Sequence, residues 1–227
     1  VPLSGISSMA TRALLADLVT DWRAQGGGDV AITSVGGVDA AKRVQAGEPF
    51  DMVLLASDAI DKLTASGHVL AGSRVDLVQS GVAVAVRSGA RQPDIGSEAA
   101  VRETVLAAAS IGYSTGPSGT QLRTLFDRWG ITEQIGHKLV QAPAGVPVGT
   151  LLARGDVALA FQQRSELINL PGVTVLGALP PAIQINTIFA GAVASRSTQP
   201  DAARAFLQWL ATPANAAAKQ RHGMAPA

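Results

Sequence analysis

Five short segments of this chain place small hydroxyl, amide or glycine residues just ahead of a helical stretch. That arrangement holds an anion on neutral dipoles. The first reads Gly5-Ile6-Ser7-Ser8-Met9-Ala10-Thr11-Arg12, where Ser7 and Ser8 offer hydroxyls beside free backbone N–H groups. A helix N-cap with no ligand would account for Ser8 equally well. The second reads Thr33-Ser34-Val35-Gly36-Gly37-Val38-Asp39-Ala40. Here Gly36 and Gly37 let a ligand come close to the backbone, and Asp39 stands where a helix dipole favours a carboxylate. A tight turn is the plainer account of the two glycines. No dinucleotide spacing and no Walker lysine accompany them.

The third segment, Tyr113-Ser114-Thr115-Gly116-Pro117-Ser118-Gly119-Thr120-Gln121, is the strongest anion loop, with Ser114, Ser118, Gly119 and Thr120 as candidate donors. The fourth, Ala144-Gly145-Val146-Pro147-Val148-Gly149-Thr150, puts a proline at a first helical turn and the Val148 backbone beside it. The fifth follows the apolar run Val157–Phe161 and reads Gln162-Gln163-Arg164-Ser165-Glu166. Two amides and a guanidinium can recognise carboxylates, or can simply be solvated polar residues. Together the segments predict a small anion held by hydroxyls, amides and backbone dipoles, with Arg12 and Arg164 as sources of positive charge.

Other chemistries fit less well. Ser7, Ser8 or Ser118 as a nucleophile would need a base, and no Gly-x-Ser-x-Gly elbow occurs. Cysteine is absent, and His68, His137 and His222 are too few and too scattered for a metal cluster, so no metal site is predicted. His68 and His137 lie in turns and read as surface residues. Asp51 and Asp58, flanking Met52–Leu55, read as a strand boundary and a helix N-cap. Lys+Arg 18 against Asp+Glu 17 leaves a net charge of +1, and only 15% of residues are charged and 4% aromatic. That provides neither a basic face nor a stacking platform for nucleic acid. No apolar run approaches the roughly 20 residues of a membrane span.

The elements that must position these residues follow from periodicity. Candidate strands are Pro2–Ile6, Val30–Ser34, Met52–Leu55, Gly81–Val86, Ile111–Tyr113, Val157–Phe161, Thr174–Leu176 and Ile185–Ala194. Several are continuous apolar runs, the mark of strands covered on both faces. Candidate helices are Met9–Gln25, Asp39–Ala46, Ala59–Ser66, Glu98–Ala107, Gly119–Trp129, Pro147–Arg154 and Pro200–Ala211. In the first, Leu14, Leu15, Leu18, Val19 and Trp22 form a stripe that belongs against a sheet. The alternation predicts an α/β fold with mostly parallel sheets flanked by helices. In such sheets ligands bind at the carboxyl ends of strands, which is where the five segments fall.

These junctions resemble the periplasmic molybdate-binding proteins, a branch of the type-2 periplasmic solute-binding proteins, nearly end to end. The markers are the Ser7-Ser8 junction, the stretch Arg43-Val44-Gln45-Ala46-Gly47-Glu48-Pro49-Phe50-Asp51, Ala56-Ser57-Asp58, the loop Gly116-Pro117-Ser118-Gly119, and Ala205-Phe206-Leu207-Gln208-Trp209-Leu210. The resemblance implies two α/β lobes, 1–81 with 190–227 and 82–189, joined by two crossover strands with a single ligand cleft between them. It also implies a periplasmic protein with its signal peptide removed, which as a binding protein would serve an ABC transporter. In that family a serine donates where Gly37 stands here, and a tyrosine where Gln162 stands. Two altered donors, one of them a glycine that opens room, point to a ligand larger than a tetrahedral oxyanion.

The segments Gly5–Arg12, Ser34-Val35-Gly36-Gly37-Val38-Asp39-Ala40-Ala41 and Phe161-Gln162-Gln163 are in turn similar to the periplasmic aconitate isomerases, enzymes on this same fold. That resemblance implies interconversion of trans- and cis-aconitate with no cofactor. Asp39 and Tyr113 are the first candidates for the base, with Glu166 or an activated serine as alternatives. Helix-start placement weakens Asp39 in that role. Arg12 is the preferred partner for a tricarboxylate, ahead of Arg164.

Overall fold

The computed structural model describes residues 1–227. In chain order the elements are β1 (Leu3–Ser8), α1 (Arg12–Ala24), β2 (Val30–Val35), α2 (Gly37–Gln45), β3 (Met52–Ala56), α3 (Ser57–Ala65) and β4 (Val75–Arg87). There follow α4 (Glu98–Ala107), β5 (Ile111–Tyr113), α5 (Pro117–Arg128), α6 (Thr132–Ile135), β6 (Leu139–Gln141), α7 (Val148–Arg154), β7 (Leu159–Gln163), α8 (Arg164–Leu167) and β8 (Val173–Ala178). The chain ends with β9 (Asn186–Val193), α9 (Pro200–Ala211), α10 (Ala216–Arg221) and β10 (Ala225–Pro226). Two compact units result, Val1–Ser80 with Thr187–Ala227 and Gly81–Asn186, so β4 begins in the first unit and continues in the second.

In the first unit β1 pairs in parallel with β2 on one side and β3 on the other, and β9 runs antiparallel to β3. The stripe predicted on the first helix is buried as expected. Leu14, Leu15 and Leu18 of α1 pack with Met52, Leu54, Phe206 and Leu207, and Trp22 sets its edge against Phe206 with ring centres 5.4 Å apart. Each such side chain contributes about 1.5–3 kcal/mol on leaving water. A polar latch ties the strand starts together. The buried Asp51 carboxylate accepts from Ser4 N and Ser4 Oγ, both at 2.9 Å, and from Ser197 Oγ at 2.8 Å. Burial works to raise its pKa, but these hydrogen bonds prevail and hold it below the usual carboxylate range.

In the second unit β5 lies between β6 and β7, parallel to both, and β4 runs antiparallel to β7 and β8. Val82, Val84, Val86, Ile111, Leu159 and Phe161 face Leu122 and Phe126 of α5 in one apolar cluster.

Several boundaries differ from the sequence reading, each for a physical reason. Helices α2, α3 and α5 start two residues earlier than predicted, at Gly37, Ser57 and Pro117. Their N-caps are Gly36, Ala56 and Gly116, none of which makes a side-chain cap. Asp39 and Asp58 therefore lie inside first turns, where the dipole favours them, and Asp58 is not an N-cap. Strand β4 extends six residues upstream of the predicted run, where the exposed Asp76 and Gln79 interrupt the apolar run on either side of the buried Leu77 and Val78. Strand β7 is shifted by two residues, from Val157–Phe161 to Leu159–Gln163, so both glutamines belong to the strand. Helices α6, α8 and α10 and strand β6 are too short for periodicity to reveal.

Candidate functional sites in the two units

In the first unit the β1 register sets Ser7 opposite Ser34 and Ser8 opposite Val35. The Ser7 and Ser34 hydroxyls lie 2.8 Å apart, and Ser7 Oγ also reaches Ser8 O at 3.2 Å. Ser8 is the N-cap residue of the 3-10 turn Met9–Thr11, but its side chain caps nothing. Its carbonyl accepts from Thr11 Oγ1 at 3.3 Å, while Ser8 Oγ is buried with no hydrogen-bond partner. Buried hydroxyls rarely go unsatisfied, which sets this one apart.

The start of α2 lies against it. A Cβ built on Gly37 would sit 3.7 Å from Ser8 Cβ. The first intrahelical bond of α2 is Ala40 N to Gly36 O at 2.9 Å, and the N–H groups before it belong to the unsatisfied first turn. The structure thus brings Ser7, Ser8, Gly36 and Gly37 together at the ends of β1 and β2 and the start of α2. Asp39 is half-buried in the same first turn, without a hydrogen bond or ion pair. Arg12, the first residue of α1, is exposed.

In the second unit the loop before α5 is tighter than the sequence implies. Pro117 has no N–H, and those of Gly119 and Thr120 both turn to Gly116 O, at 3.1 and 3.2 Å. Ser114 and Ser118 hydroxyls pair at 3.2 Å, which leaves Ser118 N and this pair as the outward donors. Gly119 is dictated by close approach, since a Cβ there would meet Ser114 O at 1.9 Å. Tyr113 ends β5 with its ring in the apolar cluster, and its hydroxyl accepts from Arg123 Nη1 at 3.1 Å. Arg123 escaped the sequence reading; its only signal was a place on the first helical turns after the loop.

At the end of β7, Gln162 and Gln163 are each only 3% exposed, so the amides are built into the fold and not solvated. Gln162 Oε1 accepts from Val148 N, at the first residue of α7, at 2.9 Å. The N–H expected to serve a ligand at Val148 is thus held by the protein's own amide. Burial pushes the Glu166 carboxyl up to about 7, and a hydrogen bond with Gln162 draws it partly back. Arg164 is exposed, and Ser165 Oγ is buried without a partner. No helix is long and apolar enough to cross a membrane.

Comparison with known proteins agrees with this architecture. The chain is 44% identical over 185 residues to an aconitate isomerase from Pseudomonas sp, spanning 81% of this chain and 70% of that relative. Among solved structures it is similar to the Azotobacter vinelandii periplasmic molybdate-binding protein, with a TM-score of 0.81, 19% identity and 98% of each chain covered. It is also similar to the sulfate-binding protein SubI from Mycobacterium tuberculosis H37Rv, with a TM-score of 0.79, 17% identity, and 99% of this chain and 86% of that one covered. The fold is therefore that of the type-2 periplasmic solute-binding proteins. A family profile described as bacterial extracellular solute-binding protein matches residues 3–225, and the chain belongs to that family.

Proposed function

We propose that this protein is a periplasmic isomerase that interconverts trans- and cis-aconitate by a cofactor-free allylic proton shift on a solute-binding fold. The observation that carries the reading is the 44% identity to an aconitate isomerase. The chemistry of the site supports it. A methylene hydrogen beside a carboxylate and an alkene is acidic enough to leave once the resulting charge is spread into the carboxylate and held there. Ser7, Ser8, Gly36 and Gly37 offer donors for a carboxylate in the first unit, and the Ser114 and Ser118 hydroxyls and the Gln163 amide offer donors in the second; the Gly119, Thr120 and Val148 N–H groups and the Gln162 amide are engaged within the protein. Neutral donors aimed at developing charge are an efficient form of catalysis, because they need no reorganisation during the step. Arg12, and after it Arg164, adds positive charge for a ligand with up to three carboxylates.

The test is an NMR time course of the purified protein with trans-aconitate in D₂O. Appearance of cis-aconitate is expected; its absence at stoichiometric protein would end the isomerase reading. Ser8→Ala is expected to weaken trans-aconitate binding about 10- to 100-fold, the worth of a hydrogen bond to a charged group. Its melting temperature should stay at or above that of the parent, because the hydroxyl has no protein partner to lose. Unchanged affinity by calorimetry would remove Ser8 from the ligand.

A second reading is a non-catalytic binding protein that delivers molybdate, tungstate or a small carboxylate to an ABC transporter. The unpartnered Ser8 hydroxyl beside the α2 start favours it too, since those groups suit any oxyanion. Thermal stabilisation by molybdate without turnover of aconitate would select it.

A further inference from the structure

Deepening the isomerase reading, on which it rests, we infer that Glu166 is the general base that carries the allylic proton. Three observations converge on it. The first is placement: Glu166 lies on the first turn of α8, directly after the carboxyl end of β7, where open α/β sheets bind their ligands. The second is orientation. Val148 N donates to Gln162 Oε1 at 2.9 Å, which fixes the oxygen of that amide and turns its NH₂ toward the Glu166 carboxylate. An amide locked at one end by a backbone donor positions the carboxylate without neutralising it.

The third observation is electrostatic isolation. The elements packed most closely against α8 are β7, α7 and β8. Strands β7 and β8 carry no titratable side chain, α7 carries only Arg154 at its far, exposed end, and Arg164 of α8 itself is exposed. With no cation on those elements facing it, the half-buried carboxyl is pushed up to about 7 by desolvation, the range in which a general base is most effective at neutral pH.

The other acids and phenols are committed elsewhere. Asp51 accepts three hydrogen bonds in its structural latch, Asp39 lies on the first turn of α2 with no side chain to orient it, and the Tyr113 hydroxyl is held by Arg123.

The step balances on one residue. The Glu166 carboxylate takes a proton from the substrate CH₂, and that C–H pair becomes a new C=C bond to the central carbon. The former double-bond pair moves to the far terminal carbon, which receives the proton back from the Glu166 carboxylic acid. Nothing else is consumed or released.

The experiment compares Glu166→Gln and Glu166→Asp with the parent enzyme in turnover, in calorimetric binding of trans-aconitate and in the pH profile. Glu166→Gln keeps a partner for Gln162 and is expected to bind trans-aconitate within about threefold of the parent while losing 10²- to 10⁴-fold in kcat. Glu166→Asp should recover part of that loss. The parent kcat/KM should fall as pH drops below about 7, where the base is protonated. Turnover of Glu166→Gln within tenfold of the parent, or a flat parent profile from pH 5.5 to 8, overturns the assignment and leaves the isomerase reading standing. Absence of turnover in the parent overturns both.

Discussion

Replacing Gly119 with alanine is expected to be among the most damaging single changes in the second unit, lowering stability by about 3–5 kcal/mol. The added Cβ would lie 1.9 Å from Ser114 O and 2.8 Å from Ser114 C. Both are backbone atoms, so the collision is not relieved by turning a side chain. Either α5 slides along its axis, pulling Leu122 and Phe126 out of the apolar cluster, or the Ser114 carbonyl rotates and breaks the Ser114–Ser118 pair. Thermal melts should show the loss clearly. Two comparisons give it meaning. Thr120→Ala, at the exposed neighbour, should melt within a degree or two of the parent, as surface substitutions usually do. Gly37→Ala places its methyl 3.7 Å from Ser8 Cβ, an ordinary contact, and should leave stability intact while crowding the start of α2 beside Ser8. A Gly119→Ala protein that melts with the parent would mean that the loop is looser than its glycine implies.

Lys219→Met should work in the opposite direction. Lys219, on α10, is only 1% exposed and borders a cavity of about 10 Å³ with Thr11, Leu14, Leu18, Leu54, Phe189 and Leu210. The amine makes no hydrogen bond or ion pair, and burial alone pushes its pKa below the usual lysine range. The sign of the pH dependence follows. A base whose folded pKa is lowered binds fewer protons folded than unfolded between the two values, so stability rises with pH through that window. At lower pH both states are charged, and the whole penalty of burying the ammonium applies. Methionine matches the length of the stem and adapts to an irregular apolar site. The variant is expected to gain about 1–3 kcal/mol at neutral pH, the cost of an unsatisfied buried polar group. The gain should shrink as pH approaches 10. Chemical denaturation at pH 6 and pH 10 reads both numbers, and a loss of stability at pH 6 would show that the amine has a partner worth more than its burial.

Much of the fold was legible because its signals are apolar. Helices α4 and α9 and strand β5 fall on the predicted boundaries; the two helices bury a face that repeats at the helical period, and β5 is a short wholly buried run. Errors gathered where polar residues are buried. Gln162 and Gln163 looked like the loop after a strand, yet they are buried strand residues, and the Gln162 amide oxygen accepts from Val148 N. A hydrogen bond between Gln162 and Val148, fourteen residues apart, leaves no trace in local periodicity. The burial of Lys219 against α1 likewise leaves no trace in local periodicity.

For the candidate site, the residue types were legible and their states were not. Ser8 could be read as a cap or a ligand donor, and only the structure shows that its buried hydroxyl caps nothing. The loop Gly116–Thr120 looked like the richest set of donors. Its proline and its inward-turned N–H groups make it the more self-satisfied of the two donor sets. Glu166 was one of four possible bases by sequence. What distinguishes it is the lack of any facing cation, a property of the elements around α8 and not of its neighbours in the chain.

The way the chain crosses between its units has a consequence for the order of assembly. Residues 81–186 form one uninterrupted unit, whereas the first unit needs β9, α9 and α10, which come last. During synthesis the inserted unit can close its core while the earlier-made β1, β2 and β3 are still incomplete. Until residues 187–227 emerge, β3 lacks its antiparallel neighbour β9, and Leu18, Met52 and Leu54 lack Phe206 and Leu207. An unpaired edge beside exposed apolar side chains is the species most prone to associate with other chains. The most vulnerable moment of this protein is therefore late in the emergence of its chain, and it belongs to the part of the chain that emerges first.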